Sequence, residues 1–170
     1  MDAVAELSAL RWETKVERFV VTGASKRGWT TWLTAAMDDR VAGIIPLVFD
    51  NLNFQVQMEH QIESWGKFSH KIHDYTDRGL QQLMATKKGK KLVDLVDPWA
   101  LRHGRLASVP KLLINGTNDQ YWTVDALNHY WDGLEGENSL LYAPNSGHGL
   151  EDRDRVMRSA AAFLRHVARG

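Results

Sequence analysis

Three residues at the ends of three separate apolar runs carry the chemistry this sequence can support. Ser25 lies in Thr22-Gly23-Ala24-Ser25-Lys26-Arg27-Gly28-Trp29, a Gly-x-Ser-x-x-Gly turn set directly between a β-branched run and a helical pattern. A strained strand-to-helix turn of this kind lifts a serine hydroxyl out at the carboxyl edge of a sheet, and glycines are needed where neighbouring backbone approaches closely. The string departs from Gly-x-Ser-x-Gly, because Arg27 occupies the place of the second glycine and Gly28 follows one position later. Asp119 follows a second run in Asn115-Gly116-Thr117-Asn118-Asp119, and His148 follows a third in Pro144-Asn145-Ser146-Gly147-His148-Gly149. Taken singly, each has a plainer reading: a helix-capping serine, a turn-forming aspartate, a surface histidine.

Together they form a pattern. Serine, aspartate and histidine occur in that chain order, separated by 94 and 29 residues, each after its own strand. A serine hydroxyl is a poor nucleophile until a base takes its proton, and the imidazole needs a carboxylate to fix its tautomer and stabilise its cation. The expectation is Ser25 as nucleophile, His148 as base and Asp119 as the orienting acid, with the Lys26 backbone N–H facing the oxyanion. Asp50, at the end of the second strand, is the rival acid. Trp122, three residues past Asp119, and Trp65 are candidates for lining a substrate pocket.

The elements that would hold these groups follow from periodicity. Residues 18–22, 43–49, 111–115 and 139–143 read as strands, the second a continuous apolar run of the kind buried on both faces. Pro46 is awkward inside it. Helical spacing marks 2–10, 26–37, 54–65, 77–86, 89–96, 123–134 and 153–168. Strand–helix alternation implies an α/β fold, a parallel sheet of about four strands flanked by helices. Residues 1–170 are expected to form one domain, with about 50–108 inserted as a helical cap over the carboxyl edge of the sheet.

Composition excludes several function classes. The 170 residues hold 21 Lys+Arg and 21 Asp+Glu, so no net field draws the chain toward nucleic acid or an anionic membrane. With no Cys, thiolate nucleophiles, disulfides and Cys-bound zinc are excluded. His70 and His73, near Asp74 and Asp77, have spacing too common to indicate metal, and no metal site is expected. The Lys87-Lys88-Gly89-Lys90-Lys91 run reads as a solvated face of the cap. There is no Gly-rich phosphate loop, no span of ~18–20 apolar residues, and no basic, apolar leader. As written, the chain reads as cytoplasmic.

The strings GASKRGWTTWLTAA, VFDNLN, MEHQIESWG, HDYTDRGL and LINGTNDQYW, with the late histidine loop, resemble the PhoPQ-activated pathogenicity-related proteins over most of residues 16–150. Those are α/β-hydrolase-like proteins, and the resemblance implies that Ser25, Asp119 and His148 occupy the family's triad positions. Members of that fold normally carry several strands before the nucleophile turn, whereas 22 residues precede Gly23 here. The nucleophile strand is then expected at a sheet edge, which invites pairing with another chain. The expectation is a homo-oligomer joined through that edge, and an oxyanion site short of one donor, which costs ~10²–10³ in kcat.

The reading is a serine carboxylesterase for small or short-acyl esters that needs no cofactor. Peptides or thioesters are alternative substrates. The competing reading is a weak or inactive hydrolase remnant that serves as an interaction module.

Overall fold

The computed structural model describes residues 1–169. Helix α1 (Asp2–Trp12) leads into strand β1 (Phe19–Ala24), helix α2 (Lys26–Met37) and strand β2 (Val41–Leu47). Between β2 and strand β3 (Lys111–Gly116) lie helices α3 (Phe54–Trp65), α4 (His73–Thr76), α5 (Leu80–Met84) and α6 (Lys87–Val96). Strand β4 (Asn138–Ala143) and helix α7 (Arg153–Arg169) complete the fold.

All four strands are parallel and stand side by side in chain order, so every carboxyl end opens on one edge. Adjacent residues divide between the two faces, as a pleated strand requires. Ile44 and Leu113 join Trp32 and Ala35 of α2 in the core on one side. Ile45, Leu112 and Ile114 pack with Val156, Phe163 and Val167 of α7 on the other. With both faces covered, β3 is buried at all six positions, the condition that makes such strands read as unbroken apolar runs.

Pro46 stays inside β2, opposite Gly23. The donor it lacks is one of those facing β3. Ile44 N donates to Pro110 O at 3.0 Å and Val48 N to Ile114 O at 2.8 Å, and the rung between them is the one left out. The flanking rungs and close packing on both faces hold the strand despite the loss.

Three sequence expectations need correction. The sequence spaces Val4, Leu7 and Leu10 by threes, as an amphipathic helix does, yet all three are exposed on α1, and the buried positions are Ala5 and Ser8. Ser8 Oγ accepts from Val16 N at 2.8 Å, so the returning chain packs on the serine face. The helix expected over 77–86 shrinks to α5, Leu80–Met84, because a turn at 77–79 ending in Gly79 at φ 63° separates it from α4. The helix expected over 123–134 is two 3₁₀ turns, Ala126–His129 and Trp131–Gly133, around Tyr130 at φ −148°. Leu127, Tyr130 and Leu134 still face the core. Gly133 lies flat on the Trp99 ring, where even a Cβ would fall 2.3 Å from it.

Candidate functional site

Ser25 links β1 to α2 with φ 57° and ψ −124°, a conformation that L-residues other than glycine rarely adopt. It occupies the N-cap position of α2, yet its side chain makes no capping hydrogen bond. The hydroxyl is therefore unspent. The bend is fixed from both sides, because Ser25 N donates to Leu47 O at 2.9 Å and Trp29 N to Ser25 O at 3.1 Å. The two glycines of the motif have steric causes. A Cβ on Gly23 would fall 2.6 Å from Arg27 O, and one on Gly28 would fall 2.8 Å from Phe49 Cβ. Lys26 is the first residue of α2, so its N–H has no acceptor within the helix and sits at the positive end of the helix dipole.

Two strands away, the β3 turn presents Asp119, and one strand further the β4 turn presents His148. His148 Nδ1 lies 2.8 Å from Asp119 Oδ2, with the carboxylate 6% and the imidazole 24% exposed. The other carboxylate oxygen accepts from Tyr121 N at 2.8 Å. Nδ1 is thereby the donating nitrogen, which leaves Nε2 as the basic one. Nε2 is buried and has no hydrogen-bond partner among the described residues, Ser25 Oγ included. The histidine loop is clamped from below: Asn118 N donates to Ser146 O at 2.9 Å, and Gly147 N to Glu151 Oε2 at 2.7 Å. Gly116 makes that closeness possible, since a Cβ there would fall 2.3 Å from Ser146 O.

The rival carboxylate is otherwise engaged. Asp50 is 3% exposed and accepts from Tyr130 Oη at one oxygen and from Tyr142 Oη, at 2.8 Å, at the other. Burial pushes its carboxyl up to about 6, although both phenol hydrogen bonds pull the other way. Val48, at φ 46°, turns the chain off β2 just before it.

The segment 50–108 stands over this edge. Trp29 Nε1 donates to Val96 O at 2.6 Å, tying α2 to the end of α6. Lys26 Nζ lies 3.3 Å from Asp74 and over the Tyr75 ring at 5.4 Å. The contact with Asp74 raises the ammonium's pKa. Asp97, whose carboxyl burial pushes up to about 6, accepts from Phe54 N at 2.7 Å and Trp99 N at 3.0 Å. It thereby caps α3 and the following 3₁₀ turn with one side chain. Ser25, Lys26 and Trp122 border a cavity of about 170 Å³ between the sheet and this cap.

Trp65 ends α3, 39% exposed, and does not border that cavity. Tyr121 was not singled out from the sequence, yet its ring stacks on His148 with centroids 4.0 Å apart and it lines the same cavity as Ser25. Its place two residues past Asp119 is the available signal, since an Asx turn folds that residue back over the carboxylate. His73 lies 3.6 Å from both Asp74 and Asp77, but no group of three or more potential metal ligands converges among the described residues. No helix there is long and apolar enough to cross a membrane.

A parallel sheet with a strained serine turn on one strand and a paired histidine and aspartate on two others has the architecture of the α/β-hydrolase fold. Solved structures share it. A puromycin hydrolase aligns with TM-score 0.68 at 18% identity, over 97% of this chain and 24% of its own. The acetyl xylan esterase of Paenibacillus sp. R4 aligns with TM-score 0.61 at 14% identity, over 98% and 49%. Within that fold, the chain belongs to the PhoPQ-activated pathogenicity-related protein family, whose profile matches residues 1–170. Autocrine proliferation repressor protein A of Dictyostelium discoideum is 34% identical over 168 residues, 97% of this chain. The chain spans about a third of that relative's length, 33%.

Proposed function

We propose that this protein is a serine carboxylesterase for small esters, working through Ser25, His148 and Asp119. The observation that carries the reading is the His148–Asp119 contact at 2.8 Å, which leaves Nε2 basic and unpartnered, at the same strand-end edge of the sheet as an uncapped serine on a strained turn. Ser25 Oγ attacks the ester carbonyl as Nε2 takes its proton. The oxyanion forms toward the Lys26 N–H and the end of the α2 dipole. His148 then returns the proton to the departing alkoxide, and a water repeats the sequence to free the acid and restore Ser25. Asp119 holds the tautomer and balances the imidazolium without itself accepting the proton. The serine–histidine hydrogen bond closes when substrate is bound, as commonly happens in such sites. The steps require no cofactor.

The test is labelling with a fluorophosphonate followed by peptide mass spectrometry. The expected result is a single adduct on Ser25 that is lost in His148→Ala. Well-folded protein that takes up no adduct would overturn the assignment and favour an interaction module.

A second reading concerns assembly. β1 lies at the edge of the described sheet, beside β2 alone, and its outer N–H and C=O groups suit pairing with a second copy of the chain. Sedimentation velocity would show a dimer that a proline at Val20 or Thr22 disperses. A monomer at all concentrations removes this reading.

A further inference from the structure

The cavity beside Ser25 is more selective than an opening for a small ester requires. On the sheet side it is walled by Trp29, Phe49 and Trp122, and on the cap side by Phe54, Met58 and Met84. Lys26 is the one lysine or arginine at its border, and no carboxylate lines it. The Lys26 ammonium is turned aside to Asp74 and the Tyr75 ring.

The aromatic walls already form an array of edge-to-face contacts around one stacked pair, Trp29 on Phe49 at 5.9 Å and 9°. Trp29 meets Phe54 at 5.2 Å and 81°, Phe49 meets Phe54 at 6.5 Å and 78°, and Phe49 meets Trp122 at 6.3 Å and 79°. Rings prefer edge-to-face or offset-stacked contact, and these walls offer a further ring both ring faces and ring edges. Met58 and Met84 add thioethers, which favour ring edges and adapt to the shape enclosed. The size agrees. An apolar cavity of roughly 150 Å³ admits benzene, and this one measures about 170 Å³.

We infer that the cavity is a phenyl subsite and that the substrates are esters bearing an arylalkyl group, seated there while the carbonyl lies at Ser25. This rests on the hydrolase reading for its chemistry, but not for its binding. A straight acetyl group leaves the walls uncovered, whereas a phenyl ring fills them.

Two measurements test the inference separately from the chemistry. In the first, hydrolysis of methyl acetate, methyl 3-phenylpropanoate and benzyl acetate is followed by pH-stat with the wild-type chain. At least one aryl ester is expected to exceed methyl acetate by about tenfold or more in kcat/KM, the order expected for burying a phenyl group. Which one does so assigns the ring to the acyl or the alcohol half. Met84→Trp, which fills the cavity, is expected to collapse that ratio.

In the second, methyl 3-phenylpropanoate and benzyl acetate are added to Ser25→Ala protein and observed by saturation-transfer NMR. Binding there that Met84→Trp abolishes supports the subsite even if no ester is hydrolysed, in which case the hydrolase reading fails alone. Neither aryl ester binding to Ser25→Ala, or esters hydrolysed with no aryl preference, overturns the inference.

Discussion

Asp50→Asn gives the most direct test of the polar network beneath the site. Burial raises the Asp50 carboxyl from its ordinary 3.8 to about 6, so between those values the folded chain holds a proton that the unfolded chain has released. Stability falls with rising pH wherever the native state binds more protons. The contribution is therefore complete below pH 3.8 and is lost as pH rises through 6. A shift of roughly two units is worth about 3 kcal/mol at about 1.4 kcal/mol per unit. Asparagine does not titrate, so any fixed cost of the amide is the same at every pH.

The assay is urea unfolding of wild type and Asp50→Asn at pH 4 and pH 7.5, analysed as a double difference. Asp97, raised in the same direction, and Asp38, lowered to about 2 beside Arg40, are present in both proteins and cancel. Relative to wild type, the variant should gain about 2 kcal/mol between the two pH values, because at pH 4 the unfolded carboxyl is still partly protonated. A double difference within ~0.5 kcal/mol, the usual error of additivity, would refute the reasoning.

Three further outcomes follow from the geometry. If the proposed triad operates, Asp119→Asn should lower ester turnover by roughly 10³–10⁴ through loss of the correct tautomer. Asp50→Asn should cost less than about tenfold, since that carboxylate is held by two tyrosines, and equal losses would reject Asp119 as the partner acid. Gly116→Ala forces a Cβ to within 2.3 Å of Ser146 O and 2.5 Å of Gly147 O. It should cost about 1–3 kcal/mol of stability by overpacking and slow turnover by shifting His148, as read by melting and by rate. Trp29→Phe keeps an aromatic ring, though a smaller one, but removes the 2.6 Å bond to Val96 O. It should cost about 1–2 kcal/mol and speed amide exchange in α6, and unchanged exchange there would remove the tie between α2 and the cap.

The frame was legible wherever a local pattern coincided with the tertiary demand on it. The span 54–65 was read as a helix and is one, from Phe54 to Trp65. The strand cores were visible because a sheet covered on both faces selects apolar residues at every position. The reading failed where distant contacts decide the backbone. Tyr130 breaks the helical spacing of 123–134 where its hydroxyl reaches Asp50, 80 residues earlier. The outward stripe of α1 has regular helical spacing, but spacing cannot say which face the returning chain will choose. Around the candidate site, Ser25, Asp119 and His148 each follow a strand in the order the sequence shows, and Trp122 borders the cavity. The stacking of Tyr121, the clamp from Glu151 and the double cap from Asp97 arise from loops meeting in space and leave no periodic trace.

The twisted backbone at Ser25 has a consequence for how such a protein can change over time. A non-glycine residue held at φ 57° and ψ −124° costs on the order of 1–3 kcal/mol, and glycine in its place would be relieved of most of that. Ser25→Gly should therefore yield a chain that outlasts its parent against heat, whereas Ser25→Ala keeps the strain. If Ser25 is the nucleophile, mutation toward sturdiness and mutation toward chemical silence then coincide at one codon. On that role, a lineage freed from the need for this hydroxyl has a downhill route to a tougher, inert fold, and a serine kept at this turn is held there by its use.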